Sequence, residues 1–231
     1  MDGSAVLSWE NLMFKLTTAS AAVILAAGVA QAAVLDFEGF GHGEQITSVT
    51  AGGVTATITV DSNGAFDEAV AFNTGLTGTA DPDLEAPFSG SGSEFPGNIL
   101  IISEDGGADD ERLGGTITMS FSQPIDFLGF SAYDGGLFEV TSAKGDELLV
   151  ADNVVAGDNL SNRIEVLDGN FDGVSVLNFI FMNSGEGASG GIDDIEFVLD
   201  DTPAPIPVPA AFPLLAAGLG GLAFVARRRR G

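Results

Sequence analysis

The chain has 231 residues, which is enough for one domain or at most two, and its 33 acidic against 8 basic residues give a formal net charge of −25. It has no cysteine and one histidine, which excludes a disulfide scaffold, cysteine-based zinc sites and thiol chemistry. The sequence lacks the basic footprint of a nucleic-acid-binding protein, so no nucleic-acid partner is predicted. The hydrophobic fraction of 45% is too high for a disordered acidic tail.

The N-terminal segment has the order of a secretory signal. The uncharged stretch Leu16–Val29 follows Lys15 and precedes Ala30-Gln31-Ala32, an A-x-A cleavage pattern. Its 14 residues are few for a membrane span, and a buried core helix is the alternative. We therefore predict that residues 1–32 form a signal helix for export by the Sec route and that the mature chain begins at Ala33.

The first residues fit that signal less well than the rest. Asp2 and Glu10 place negative charge where the start of a signal peptide is normally positive. Met13-Phe14-Lys15 would give a more typical beginning, so we predict that Met13 is the true initiator.

Residues 33–202 predict an all-β domain. They hold 31 of the acids and three bases, a net charge of −28. Alternation of apolar and polar residues, or short apolar runs between Gly, Asn, Asp and Ser clusters, indicates strands and turns. The predicted strands are Val54–Val60, Asn98–Ile102, Thr116–Phe121, Ile125–Tyr133, Leu137–Thr141, Val174–Met182 and Ile192–Leu199. Several short strands without a 3.6-residue period favour a two-sheet sandwich.

The first and last segments of this domain resemble the paired terminal strands of jelly-roll modules related to carbohydrate-binding and galactose-binding-like domains. The residues concerned are Leu35-Asp36-Phe37-Glu38 and Gly191–Phe197. The resemblance implies an antiparallel jelly-roll sandwich. It also implies a structural calcium ion where the two strands meet, with Glu38 and Asp194 as acidic ligands. The alternative is that these carboxylates are the solvent-facing half of edge strands.

A second candidate calcium site follows from spacing. Asp168, Asn170 and Asp172 begin a D-x-[DN]-x-[DN]-G pattern, in which alternate oxygen ligands converge on one hard cation. The twelfth position is Phe179 where a calcium loop needs Glu, which excludes an EF-hand and leaves a looser calcium turn or an acidic hairpin. Further acidic turns, at 61–64, 81–83 and 109–111, add to the expectation that the exported domain binds a divalent cation. The alternative is an acidic, solvated surface with no specific site.

Enzymatic chemistry is not predicted. Gly187–Gly191 fits G-x-S-x-G, but a serine triad needs a later histidine, and the only one, His42, comes earlier. Acids are so numerous that no catalytic pair can be selected for glycoside chemistry. Tyr133 is the only Tyr, and the only Trp lies in the predicted signal, so strong glycan binding has few aromatic candidates.

The C-terminal segment has three parts in a fixed order. A Pro-rich linker, residues 203–209, is followed by an apolar run from Ala210 to Ala226, and then by Arg227, Arg228, Arg229 and Arg230. The run spans 17 residues, or about 25 Å as a helix, which is a minimal membrane span. The arginines should stay on the cytoplasmic side and leave the acidic domain outside. We predict that residues 210–231 are a transmembrane helix with a basic tail.

These three parts resemble the PEP-CTERM class of sorting signals, and most closely its VPLPA-CTERM variant. The motif here is Ile206-Pro207-Val208-Pro209-Ala210. The resemblance implies that an exosortase in the inner membrane recognises and cleaves the tail and that the body then passes to the cell surface or the exopolysaccharide matrix. The predicted role is a structural or adhesive one in that matrix. A carbohydrate-binding module is the second interpretation, and a secreted polysaccharide hydrolase is the third.

Overall fold

In a computed structural model of the chain, residues 32–134, 137–145, 147–150, 159–166, 171–182 and 190–199 are described. The predicted signal peptide before Ala32, the sorting motif, the apolar tail with its arginines, and Asp168 and Asn170 lie outside these residues. No α-helix occurs in the described ranges, and none of their helical turns is long and apolar enough to cross a bilayer. The protein is all-β over the described residues, as predicted.

The described residues form twelve strands and one short 3-10 turn. The strands are β1 (Ala33–Leu35), β2 (Ser48–Ala51), β3 (Val54–Ser62), β4 (Ala69–Asn73), β5 (Ser89–Gly90), β6 (Asn98–Ile102), β7 (Gly115–Tyr133), β8 (Leu137–Ser142), β9 (Glu147–Val150), β10 (Leu160–Glu165), β11 (Val174–Met182) and β12 (Gly191–Leu199). The 3-10 turn is Pro82–Leu84. All strand pairs are antiparallel except the two-residue pair of β5 with β10.

β7 is the centre of one curled sheet. Its first half pairs with β3 on one side and β11 on the other, and its second half pairs with β12 and β10. The partners change around Ser122–Pro124, where the side chains are exposed and the proline has no N–H to donate to a ladder. The sequence predicted two strands here, Thr116–Phe121 and Ile125–Tyr133. That division was wrong, because the chain continues extended through the proline while it exchanges neighbours.

The two terminal strands lie side by side. Ala33, Val34 and Leu35 of β1 pair with Phe197, Glu196 and Ile195 of β12 in antiparallel register. Leu35 and the following Phe37 are fully buried, so the start of the domain is bound to its end by apolar burial as well as by the ladder. The predicted pairing of the first and last segments is therefore observed.

The core of the described residues consists of two apolar clusters. The larger one joins both halves of β7 and is rich in phenylalanine: Phe127 packs against Phe130, Phe171 and Phe179 with ring centroids 5.7–6.2 Å apart. The smaller cluster covers the other face of β4 and β6 and contains Leu84, Phe88 and Tyr133. β4 and β6 are thus buried on both faces, which explains why Asn98–Ile102 is a continuous apolar run instead of an alternating one.

Candidate functional site

Three aspartates, Asp81, Asp109 and Asp110, form the one group of metal-type ligands found among the described residues. Each offers a carboxylate oxygen, and these oxygens lie within 4.8 Å of one another. Asp81 and Asp110 are 4% and 7% exposed, while Asp109 is half-buried. We call these three residues the aspartate cluster.

Two loops carry the cluster. Asp81 precedes the 3-10 turn, whose first residue Pro82 has the fixed φ that suits the start of such a turn. Asp109 and Asp110 close a tight loop that leaves β6. There the Glu104 N–H donates to the Asp109 carbonyl at 2.7 Å, and Ser103 and Asp110 form an isolated bridge. The sharp return of this loop brings Asp110 beside the end of β6.

Backbone hydrogen bonds fix the two buried carboxylates. The Asp110 N–H donates to Asp81 Oδ2 at 3.2 Å, and the Gly190 N–H, just before β12, donates to Asp110 Oδ2. Asp110 is therefore linked both to the loop of Asp81 and to the start of β12. The side chain of Asp109 has no such structural partner among the described hydrogen bonds, which leaves its carboxylate available for a ligand.

The electrostatics of the aspartate cluster favour a bound positive charge. Burial raises the pKa of Asp81 above its ordinary value, and the neighbouring carboxylates Asp83 and Asp110 raise it further. Burial likewise raises the pKa of Asp110, with added repulsion from Asp83 and Asp134. The described residues form two salt bridges, Arg163–Glu196 and Arg112–Glu104, and neither includes a member of the aspartate cluster.

Such a group has two ways to relieve its charge. It can retain protons, so that one carboxyl donates to another, or it can bind a divalent cation that neutralises two or three carboxylates at once. Calcium accepts six to eight oxygen ligands in flexible geometry, and carboxylates at this spacing match its preference for hard oxygen donors. The cluster offers three side-chain ligands, and backbone carbonyls or water would complete a calcium shell.

Glu38 and Asp194, the predicted calcium ligands, each lie within electrostatic range of Asp193. Glu38 Oε1 accepts from the Asn98 N–H at 2.9 Å, and it passes so close to Gly97 that a Cβ there would meet it at 2.0 Å. Asp194 adopts φ +50° at a bulge of β12. Among the described residues, no third acidic residue joins Glu38 and Asp194 in a group as tight as the aspartate cluster. Their role as calcium ligands stays a prediction.

The buried member of this second acidic group is Asp193, which the sequence reasoning missed. Asp193 is 2% exposed, and its Oδ1 has no hydrogen-bond partner. Burial raises the pKa of Asp193 to about 8, with further contributions from the charges of Asp194, Glu38 and Asp36. Asp193 lies on the face of β12 opposite Ile192, and both faces are buried at this point, so alternation along the strand did not indicate its burial.

Two other predicted residues have local roles. Asp172 is exposed in a turn, and its backbone carbonyl accepts a hydrogen bond from Lys144 Nζ. The next backbone N–H, that of Gly173, donates to Asp126 Oδ1 at 2.7 Å. These contacts belong to the turn before β11, and the calcium interpretation of Asp168, Asn170 and Asp172 stays a prediction. Tyr133 is fully buried against Phe88, so it cannot be a platform for a sugar ring.

Only part of the aspartate cluster could be anticipated from the sequence. It marked 81–83 and 109–111 as separate acidic turns, but nothing local shows that two turns 28 residues apart meet. That meeting depends on the path of the chain between β4 and β7.

Comparisons with known proteins give no relative for this chain. No family model matches it, and no significant match is found among the curated proteins or the solved structures.

Proposed function

We propose that this chain is an exported, non-catalytic β-domain protein of the cell surface or extracellular matrix, with a structural or adhesive role, whose fold binds calcium. The main observation behind this proposal is the aspartate cluster, in which three carboxylates from two distant loops lie within 4.8 Å of one another. None of them forms a salt bridge with a basic residue in the described part of the chain. A cation there joins the loop before the 3-10 turn to the loop after β6, so binding stabilises the fold. Extracellular calcium sites work at about 10⁻⁴–10⁻³ M, which suits an exported domain.

The proposed architecture is a jelly-roll-like sandwich. Three features support it: the two halves of β7 have different partners, both halves contribute to the larger core cluster, and β1 pairs with β12. In this arrangement the curled sheet folds over its own phenylalanine-rich face. A sandwich also explains why the Ser122–Pro124 segment is exposed, since it is the corner between the two layers.

The calcium proposal is tested by thermal unfolding of the protein at pH 8, above the raised pKa of about 7 of Asp110, with 10 mM calcium or magnesium at equal ionic strength. For a Kd of about 10⁻⁴–10⁻³ M, this calcium concentration stabilises the folded state by roughly 1.4–2.7 kcal/mol. We expect calcium to raise the melting temperature of the original chain more than magnesium does. Asp109→Asn should abolish this difference, because it removes the charge of the ligand that has no structural hydrogen bond.

Asp105→Asn is the matched control. Asp105 is an exposed acid of the same loop whose Oδ1 accepts from the Gly107 N–H, a bond that asparagine can retain. This variant removes the same charge and should keep the calcium-specific shift. Equal shifts with both cations, or an Asp109→Asn variant that responds like the original chain, would contradict the site.

The proposed route to the surface rests on the two terminal segments of the sequence. Signal peptidase cleaves after Ala32, and an exosortase in the inner membrane processes the tail at Ile206-Pro207-Val208-Pro209-Ala210. Mass spectrometry of the protein from its native source should find Ala33 as the N-terminus. Replacing Pro207 and Pro209 with alanine should leave full-length protein in the inner membrane, and unchanged surface delivery of that variant would refute the sorting assignment.

A further inference from the structure

Both ends of the described domain emerge at the same end of the sheet. Ala33 pairs with Phe197, two residues before β12 ends at Leu199, and the two strands run in opposite directions. The chain therefore enters beside the point at which it leaves. The Gly52–Gly53 turn and the Ser122–Pro124 corner lie at this end too, because Leu199 pairs with Ile125, and Thr55 donates its N–H to Ser122 Oγ. We call this the terminal end.

The acidic loops lie at the opposite end. β3 runs away from the Gly52–Gly53 turn for eight residue steps, or about 26 Å, from Val54 to Ser62. There Ser62 pairs with Gly115, and its hydroxyl donates to Glu111 at 3.4 Å. The aspartate cluster belongs to the same end, since Asp110 binds Gly190 at the start of β12. We call this the acidic end; its acids include Asp61, Asp67, Glu68, Asp81, Asp83, Glu104, Asp105, Asp109, Asp110 and Glu111.

The terminal end carries fewer acids, with Asp126 and Asp172 near its corner. Its apolar residues Val34 and Leu199 are 40% and 36% exposed, and the acidic end has similarly exposed apolar residues in Phe66 and Leu113. Lys144, one of three basic residues in the domain, lies at the terminal end through its hydrogen bond to the carbonyl of Asp172. An anionic lipid surface attracts basic groups and repels acidic ones within about a Debye length, near 8–10 Å at physiological salt. We therefore expect an anionic lipid surface to repel the acidic end more strongly than the terminal end.

From this polarity we infer that, while the tail is in the bilayer, the domain rests its terminal end against the anionic phospholipid surface and holds its acidic end outward. The inference rests on the proposed membrane-inserted tail. Ten residues, 200–209, separate β12 from the apolar run, and when extended they let the terminal end lie at most about 34 Å from the lipid. Calcium can then reach the aspartate cluster from outside before and after the tail is cut.

The absence of cysteine from the chain gives a direct test. Gln123→Cys places a single thiol at the terminal end, and Ala65→Cys places one near the acidic end; both positions are exposed. Each full-length variant, purified from the membrane of an exporting host, is labelled with a fluorophore. It is then reconstituted into phosphatidylethanolamine and phosphatidylglycerol vesicles with a nitroxide quencher on the lipid headgroup. We expect the label at 123 to lose most of its fluorescence and the label at 65 to lose little.

The outcomes separate this inference from the proposal on which it rests. Vesicle flotation is measured on the same samples. Protein that floats with the vesicles but shows equal quenching at both positions, or stronger quenching at 65, overturns the orientation and leaves the membrane tail intact. Protein that does not float overturns the membrane tail and the orientation together.

Discussion

Asp193 is a buried carboxyl group with other acids near it, and its protonation contributes to stability. Its folded-state pKa of about 8 is above the value near 4 that an aspartate has in an unfolded chain. Folding therefore takes up a proton between these two pH values. The stabilising contribution is fully present below about pH 4 and is lost as the pH rises through 8, where Asp193 would be charged, with Oδ1 unpaired.

We expect Asp193→Asn to raise the free energy of unfolding at pH 8 by on the order of 2 kcal/mol, because the neutral amide has a similar shape and no charge to bury. At pH 4 the effect should be close to zero. Urea denaturation at the two pH values measures both. Glu165→Gln is the control, since Glu165 is exposed and should give no pH-dependent difference. An equal effect of Asp193→Asn at both pH values would show that ionisation is not the cause.

At the scale of elements, β7 determines how the sheet is assembled, because four other strands pair with it. Its second half approaches β10 very closely at Gly129. A Cβ placed on Gly129 would lie 2.3 Å from the carbonyl oxygen of Ile164, a backbone atom that cannot rotate away. Gly129 is also opposite Glu165 in the ladder and borders the bulge of β12. Glycine at this position therefore allows β10 and β12 to flank the same strand.

Gly129→Ala should cost about 2 kcal/mol or more, because β7 and β10 must separate to admit the methyl group. The measurement is the urea midpoint of unfolding, with the slope checked for a change in cooperativity. Gly39→Ala is the matched control: a Cβ there has no neighbour within 4 Å, so its midpoint should stay close to that of the original chain. A Gly129→Ala variant as stable as Gly39→Ala would contradict the close approach of the two strands.

At the scale of the whole molecule, charge is the dominant property. Residues 33–202 hold a net charge of −28, and many of their acids lie at the acidic end. Only three bases are present, and Arg163 is committed to β12 through the carbonyl of Asp194 and the carboxylate of Glu196. Self-repulsion therefore opposes the compact state, and screening should relieve it.

We expect the melting temperature at pH 8 to rise with sodium chloride and to level off as the Debye length falls from about 30 Å at 0.01 M to about 8 Å at 0.15 M. Scanning calorimetry over this range measures the effect. At pH 4, where many exposed carboxylates are protonated, the same salt series should give a smaller rise. An equal salt response at both pH values would show that carboxylate repulsion does not limit stability.

The sequence alone determined part of the strand set: β3, β6, β8, β11 and β12 were predicted, whereas β2, β4, β5, β9 and β10 were not. Period-2 alternation predicted β3 and β11 closely, and a continuous apolar run predicted β6, because the identity of alternate side chains decides which face of a strand can be buried. The pairing of the first and last strands was also anticipated, from the resemblance to jelly-roll modules. Export and sorting remain predictions from sequence, since the segments that carry them lie outside the described residues.

Tertiary structure decided what these elements do together. The union of two predicted strands into β7, the burial of Asp193, and the meeting of Asp81 with Asp110 all depend on segments far apart in the chain. A carboxylate in a turn has the same sequence context whether it faces water or another carboxylate. Its pKa and its ability to bind a cation are set by burial and by the neighbouring charges, and these exist only after the chain has folded.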